Sequence, residues 1–386
     1  MSANPAILAV DVAADAARSA SVRPATSENA APDEAAPLWL ERGRIPCLDG
    51  LRAFSIAMVF VEHAIHVSGT LPAGPLGRLL GNMGGIGVDI FFAISGFLIT
   101  LLLLRESRRT HTISLKEFYI RRFLRLMPAA VVFLLVVFVL DRLGRVPMSA
   151  GNWVHVLTYT VNFDANPTWE TGHLWSLSIE EQFYFLWPLT LLVLGAGRAR
   201  AGVIGWLLAA PVVRLALLRV FPHDFGRYEN WTPLRVDSIA AGCLLALVAH
   251  HPKFLRLALP RHPAALALIG AAALGLVVNF LVGTRIDMYG VAVENSFRAA
   301  LIAVIIWLSI NQASSLWGRL LDSRPMVTIG ILSYSLYLWQ QLFLVPHATE
   351  RVRTLPWAIF AAIACAVASY VLVERPFLRL KDRFGR

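Results

Sequence analysis

This 386-residue chain is short of charge. Only 16% of its residues are Asp, Glu, Lys or Arg, against 57% hydrophobic residues and a mean hydropathy of +0.61. A soluble globular protein carries roughly 25% charged residues, so that class is excluded. Cysteine is scarcer still, at three residues. Cys47, Cys243 and Cys365 stand far apart with no CxxC pair and no histidine cluster beside them. Neither a disulfide framework nor a zinc site is expected, and no metal is required. The first 37 residues hold no apolar core that could act as a secretory signal. Rich in Ala, Pro and Ser, residues 1–40 are expected as a disordered tail. Also missing are two related halves with matching Gly- or Pro-interrupted segments, which many transporters carry.

What the chain has is long apolar runs. Ten recur, at about 49–68, 85–104, 126–142, 177–197, 202–220, 234–250, 263–283, 296–313, 327–346 and 355–374. About 20 apolar residues suffice to cross a hydrocarbon core of roughly 30 Å. The expected fold is an all-α polytopic membrane protein, with about ten transmembrane helices in one bundle around a polar cavity. Residues 41–377 form this domain, followed by a short basic tail, 378–386. The fifth and sixth runs are the weakest, since Pro211 and Arg214 interrupt one and the other is short. The stretch 153–163 is apolar but too short to cross, and reads as an outer loop or surface helix.

The net charge of +10 raises the question of nucleic acid, but its distribution answers it. With ten crossings and a cytoplasmic N-terminus, twenty-one Lys and Arg residues fall on the inner side and eight on the outer. That is the positive-inside pattern, and both termini are expected in the cytoplasm. No nucleic-acid partner is implied.

One run combines an arginine with a histidine. Arg52 and His63 lie eleven residues apart, three helical turns, so both project from one side of the helix about 16 Å apart. Ionisable groups in a bilayer are expensive and normally face a protein interior or a cavity. Depth counted along each run then brings His63, Asp89, Glu180, Glu181, Asp237, Glu294, Arg298 and Gln340 to one outer layer. Placed singly in lipid, six or seven charges would together cost about 20 kcal/mol at roughly 3 kcal/mol each. That exceeds the ~5–15 kcal/mol that typically holds a fold. They must line a wet cavity or form ion pairs between helices, and the cavity is the economical expectation.

Several motifs populate that layer. GVDIFFAISGFLIT (87–100) places Asp89 where it could orient His63, a carboxylate fixing the imidazole tautomer. Ser95 and Gly96 in the same motif permit close helix approach. FYIRRFLRLMP (118–128) sets Arg121, Arg122 and Arg125 at the inner face, where guanidinium forks suit phosphate oxygens; positive-inside anchoring explains the same spacing. TGHLWSLSIEEQFYFLWP (171–188) gathers His173, Trp175, Ser176, Glu180, Glu181 and Tyr184 at the outer mouth. Aromatic platforms beside carboxylates suit a sugar-like acceptor, and an aromatic belt around a solvated turn is the alternative. Of the two glutamates, about 100° apart on a helix, one is expected to face the cavity. TPLRVDSIAAGCLLA (232–246) contributes Arg235 and Asp237, as substrate contacts or as a local ion pair. SYSLYLWQQ (333–341) aligns Tyr334, Tyr337 and Gln340 or Gln341 along one side of its helix.

Taken in order, these segments resemble the acyltransferase-3 family of membrane acyltransferases, which O-acylate polysaccharides, lipopolysaccharide, glucans and some antibiotics. The resemblance runs from about Arg44 to Phe377. It rests on the Arg-x10-His helix, VDIFFAISGFLI, FYIRRFLRLMP, HLWSLSIEEQFYFLWP, LRVDSIAAG, SYSLYLWQ and the closing ERP at 374–376. It implies acyl-CoA bound from the cytoplasm as a co-substrate, with no permanently bound cofactor. It implies that His63 and Arg52 are essential, that Arg121, Arg122 and Arg125 meet the CoA phosphates, and that the segment around Glu181 takes part. The family's usual SYxLYLWH ends here in Gln340, which cannot carry a proton and points to a different acceptor. The chain ends just after the tenth run, so the likeness is to members without the fused extracytoplasmic SGNH esterase-like domain.

The expected activity is transfer of an acyl group, acetyl by default, to a hydroxyl of a cell-surface polysaccharide, exopolysaccharide or lipid-linked saccharide. His63, oriented by Asp89 or an outer glutamate, would act as general base or as nucleophile. The expected location is the bacterial inner membrane, with the lipid bilayer and envelope-biosynthesis proteins as partners. A small-molecule acceptor such as a macrolide, or a non-enzymatic flippase of a glycan intermediate, are the competing readings.

Overall fold

The computed structural model describes residues 45–221, 228–249, 262–346 and 353–381. The expected tail 1–40 and the end of the basic tail, 382–386, lie outside the described residues; residues 378–381 are helical. Among the described residues the chain is all-helical, with helix occupying the body of all ten apolar runs. Nine of the described helices build the bundle: α1 Pro46–Ser68, α2 Met83–Thr110, α3 Leu115–Arg142, α4 Leu174–Val220, α5 Asp237–Ala249, α6 His262–Gly283, α7 Glu294–Asn311, α8 Arg324–Phe343 and α9 Trp357–Ser369. The last continues through a π-turn, Tyr370–Glu374, into Arg375–Lys381.

Among the described residues six helical stretches are long and apolar enough to cross a membrane, making this an integral multi-pass protein. They correspond to α1, α2, α3, α4 with its leading turn, α6 and α9 with its extension. Those that fall short do so for legible reasons. Helix α5 is only 13 residues long, α7 carries Glu294, Asn295 and Arg298, and α8 is diluted by its own serines, tyrosines and glutamines.

At 47 residues, α4 would be about 70 Å long at 1.5 Å per residue, twice the hydrocarbon core. It is two helices meeting at Gly195, whose φ of 71° and ψ of 165° are non-helical. Such a backbone favours a residue without a Cβ. The first arm runs parallel to α2, with Glu180 at Ser95 and Trp187 at Thr100. The second turns back, so that Arg214 reaches Asp237 at the head of α5. The fourth and fifth apolar runs are therefore separate arms, although no loop divides them.

Helix α2 is buried nearly all round, as its lack of a polar face requires. Its tightest neighbour is α5: a Cβ on Gly96 would collide with the backbone of Ile239, and one on Gly242 with the carbonyl of Ala93. Reciprocal small residues let two backbones touch where no hydrophobic force drives helices together. Replacing Gly242 with valine is expected to lower the melting temperature of the detergent-extracted protein by several degrees, since overpacking costs about 1–3 kcal/mol. Unchanged melting would show that the contact is dispensable. Helix α1 packs against both α2 and α8, which places its polar residues at the bundle's centre. The stretch 153–163 forms a short surface helix, Ala150–Leu157, and a 3-10 turn, Val161–Phe163.

Candidate active site

The polar residues do not share one layer. They separate into two groups along α1, plus buried ion pairs that stand apart from both.

The first group surrounds His63. Its Nδ1 lies 2.6 Å from Oε1 of Gln340, a side chain with no exposed surface. The ring of Trp169 packs edge-on against the imidazole at 5.5 Å, held by its own Nε1 donating to the carbonyl of Leu344. At the head of α4, His173 donates from Nε2 to the Leu338 carbonyl at 3.1 Å, which leaves its Nδ1 as a buried acceptor without a partner. Tyr337 donates to the His173 carbonyl at 2.9 Å, and Ser176 lies 2.6 Å from the same phenol oxygen. Buried and without partners alongside are Nε2 of Gln340 and Oε1 of Gln341. A buried orphan polar group costs about 1–3 kcal/mol, so several gathered round one histidine mark a place suited to a polar ligand.

The second group lies about three turns along α1, around Arg52. Arg52 pairs with Asp49 at 3.1 Å. Glu180 accepts from Ser95 at 2.5 Å, with Arg52, Arg122 and Tyr184 facing the same carboxylate. Arg122 lies over the Tyr184 ring at 4.0 Å, and Arg125 stands within electrostatic reach of both Arg52 and Arg122. Among the described residues neither Arg122 nor Arg125 has a carboxylate oxygen within 4.0 Å. Three guanidiniums thus converge, with Asp49 and Glu180 beside them, Glu181 within electrostatic reach of Arg122 and Glu374 within reach of Arg125. Glu180, bonded to Ser95 on α2 and facing Arg52 on α1, lies in the α1–α2 interior, and Glu181 lies within electrostatic reach of Arg122 and Tyr159; the pair sits at the level of Arg52 along α1 and not at that of His63.

The arginine motif divides. Arg121 turns away to Glu106 at 3.2 Å and Glu117 at 3.4 Å, and joins a partly exposed surface network. Only Arg122 and Arg125 reach the interior.

Asp89 does not orient His63. Its carboxylate is 2.9 Å from Arg298, which also reaches Glu294 at 3.4 Å and bonds Asn295. Arg235 lies over the Trp175 ring at 5.1 Å, and Asp237 pairs with Arg214 rather than with Arg235. Arg214, 1% exposed, spends its other donors on Ser296 and the carbonyls of Leu234 and Ala292. The physical reason is desolvation: a buried charge takes the nearest opposite charge that geometry allows. Ion pairing between helices thus disposes of Asp89, Asp237 and Arg298, where the sequence suggested a shared cavity, with Arg214 as the partner of Asp237.

Sequence reasoning missed Trp169, Ser95 as the partner of Glu180, and Arg214 as a buried anchor. Trp169 sits just before the 171–188 motif, and only its contact with His63 marks it out. Arg214 carried a signal, a lone cation inside an apolar run, which pointed to a partner across the bundle.

Comparison with known proteins adds a family. Residues 45–374 match the model of an acyltransferase domain. Curated relatives include the O-acetyltransferase OatA of Staphylococcus aureus, 31% identical over 322 residues, covering 78% of this chain and 51% of the relative. A putative peptidoglycan O-acetyltransferase, YrhL of Bacillus subtilis, is 33% identical over 362 residues, covering 86% and 54%. The peptidoglycan O-acetyltransferase OatA of Listeria monocytogenes is 29% identical over 361 residues, covering 87% and 55%. The chain spans about half the length of these relatives. No solved structure matches it.

Proposed function

This chain belongs to the acyltransferase-3 family, and from that premise we propose that it is a membrane O-acyltransferase of the bacterial inner membrane. It takes an acyl group, acetyl by default, from cytoplasmic acyl-CoA and places it on a hydroxyl of a cell-envelope glycan. Peptidoglycan is the first acceptor to test, because two of the relatives are named for it. Ten crossings with both termini in the cytoplasm put the Arg52 group near the inner face and the His63 group towards the outer one.

The observation that carries this reading is the division of α1. Arg52, with Arg122 and Arg125 beside it, is separated from His63 by about 16 Å along one helix face. The inner guanidiniums suit the nucleotide phosphates of CoA, gripped as planar forks. The pantetheine arm then carries the thioester outward towards His63. There the imidazole Nε2 takes the proton of the acceptor hydroxyl as its oxygen attacks the thioester carbonyl. The carbon–sulfur bond breaks, and the departing CoA sulfur takes the proton back from the imidazolium. Acyl label retained on purified protein without acceptor would instead mark His63 as the nucleophile.

The test is CoA release from acetyl-CoA by the purified protein in lipid nanodiscs, with and without a muramyl glycan. Release that depends on glycan and leaves an O-acetyl group on it supports the reading. Label transported without any thioester cleavage contradicts it.

The arginines separate in the same assay. Arg122→Ala removes a charge-assisted phosphate contact worth about 2 kcal/mol, so KM for acetyl-CoA should rise roughly thirtyfold. Arg121→Ala breaks two partly exposed ion pairs, each worth about 0–1 kcal/mol to stability, and should leave that KM within twofold. Equal effects of the two variants would contradict the assignment of the inner arginines.

A further inference from the structure

Gln340 stands where the family motif usually carries histidine, and its contact with His63 gives it a definite chemical task. An amide oxygen only accepts hydrogen bonds, so Oε1 at 2.6 Å requires Nδ1 of His63 to be the protonated nitrogen. A neutral imidazole so held has its lone pair on Nε2. The amide itself is well fixed, since Gln340 is fully buried on α8 and α8 packs directly against α1. Its Nε2 meanwhile is buried with no acceptor. Trp169 closes another side of the imidazole.

We infer that Gln340 is the positioning residue of this site: its oxygen holds His63 in the Nδ1–H tautomer, and its free amide N–H faces a substrate oxygen. This rests on the proposed acyl transfer and deepens it. Histidine in this position must carry its own proton on the far nitrogen to accept from His63. A glutamine accepts from His63 at any pH, and keeps a donor to spare.

The titratable groups around His63 are Glu62 and His66 on its own helix and His173 at the head of α4. Glu62 is engaged by the backbone N–H of Gly84, and His66 by the Glu62 carbonyl. His173 is engaged by Leu338, and Glu170, next to Trp169, by Arg353 at 3.8 Å. No carboxylate among the described residues bonds His63, so a carboxylate introduced at 340 would be the first to do so.

The experiment compares Gln340→Met, Gln340→Glu and His63→Ala with the parent protein, at matched amounts in nanodiscs, across pH 5–9. Gln340→Met, similar in size but without the acceptor, should lower kcat at least tenfold with KM for acetyl-CoA unchanged. Gln340→Glu keeps the acceptor and adds a charge that favours the imidazolium. It should recover kcat at high pH and move the acid limb of kcat/KM up by about one pH unit. Parental kcat in Gln340→Met, or a parental acid limb in Gln340→Glu, overturns the inference even where His63→Ala is inactive. Activity retained by His63→Ala overturns the acyl-transfer reading itself, so the two failures are distinguishable. Should Gln340→Met fail to fold, the acid limb of the nearly isosteric Gln340→Glu decides alone.

Discussion

His63→Ala is expected to insert and fold as the parent does and to lose acyl transfer by about 10²–10⁴-fold, the usual contribution of a positioned general base. The imidazole is only half-buried and among the described residues its one hydrogen-bonding partner is Gln340, so its removal leaves no charge stranded in the bundle. The amide of Gln340 loses an interaction worth about 1 kcal/mol, small against a typical fold stability of ~5–15 kcal/mol. The effect therefore belongs to chemistry and not to assembly. Mass spectrometry of glycan O-acetyl groups, alongside protein quantity in the same membranes, separates the two. Undiminished acetylation by the variant would remove His63 from the reaction.

Arg214→Leu is expected to do the opposite, harming the fold first. The guanidinium is 1% exposed and holds together the second arm of α4, the head of α5 and the start of α7. Removing one member of a buried pair leaves Asp237 charged and uncompensated, at a cost of about 3–5 kcal/mol. Much of the protein should fail to accumulate, and what is extracted should melt well below the parent. The double variant Arg214→Leu with Asp237→Leu removes both charges and should recover a good part of that loss. A single variant that melts like the parent, or a double variant no better than the single, would show that the pair does not hold these helices together.

How far the sequence carried this picture differs from residue to residue. The helical runs were legible because apolar length is a property of the chain alone, and the face shared by Arg52 and His63 follows from the helical repeat. The division of α4 was legible as two runs, although the device that divides them, the backbone of Gly195, was not. Partner choice was beyond the sequence. Counting residues gives a depth, but it gives no azimuth and no register between helices. Asp89 and His63 could thus be set at one level while Asp89 in fact turns to Arg298 on α7. The same blindness made one cluster of Arg121, Arg122 and Arg125, where Glu106 draws the first away from the others. Gln340 illustrates a third case: its departure from the family motif was visible, but its use required knowing that α8 lies against α1.

The proposed reaction requires a donor held at the inner arginines to serve a histidine nearer the outer face. The direct measurement uses sealed, right-side-out vesicles containing the protein, with labelled acetyl-CoA trapped inside and a membrane-impermeant glycan acceptor outside. O-acetyl label is expected on the external glycan, dependent on His63 and abolished when acetyl-CoA is supplied only outside. Labelling that requires acetyl-CoA and glycan on the same side of the bilayer would contradict it.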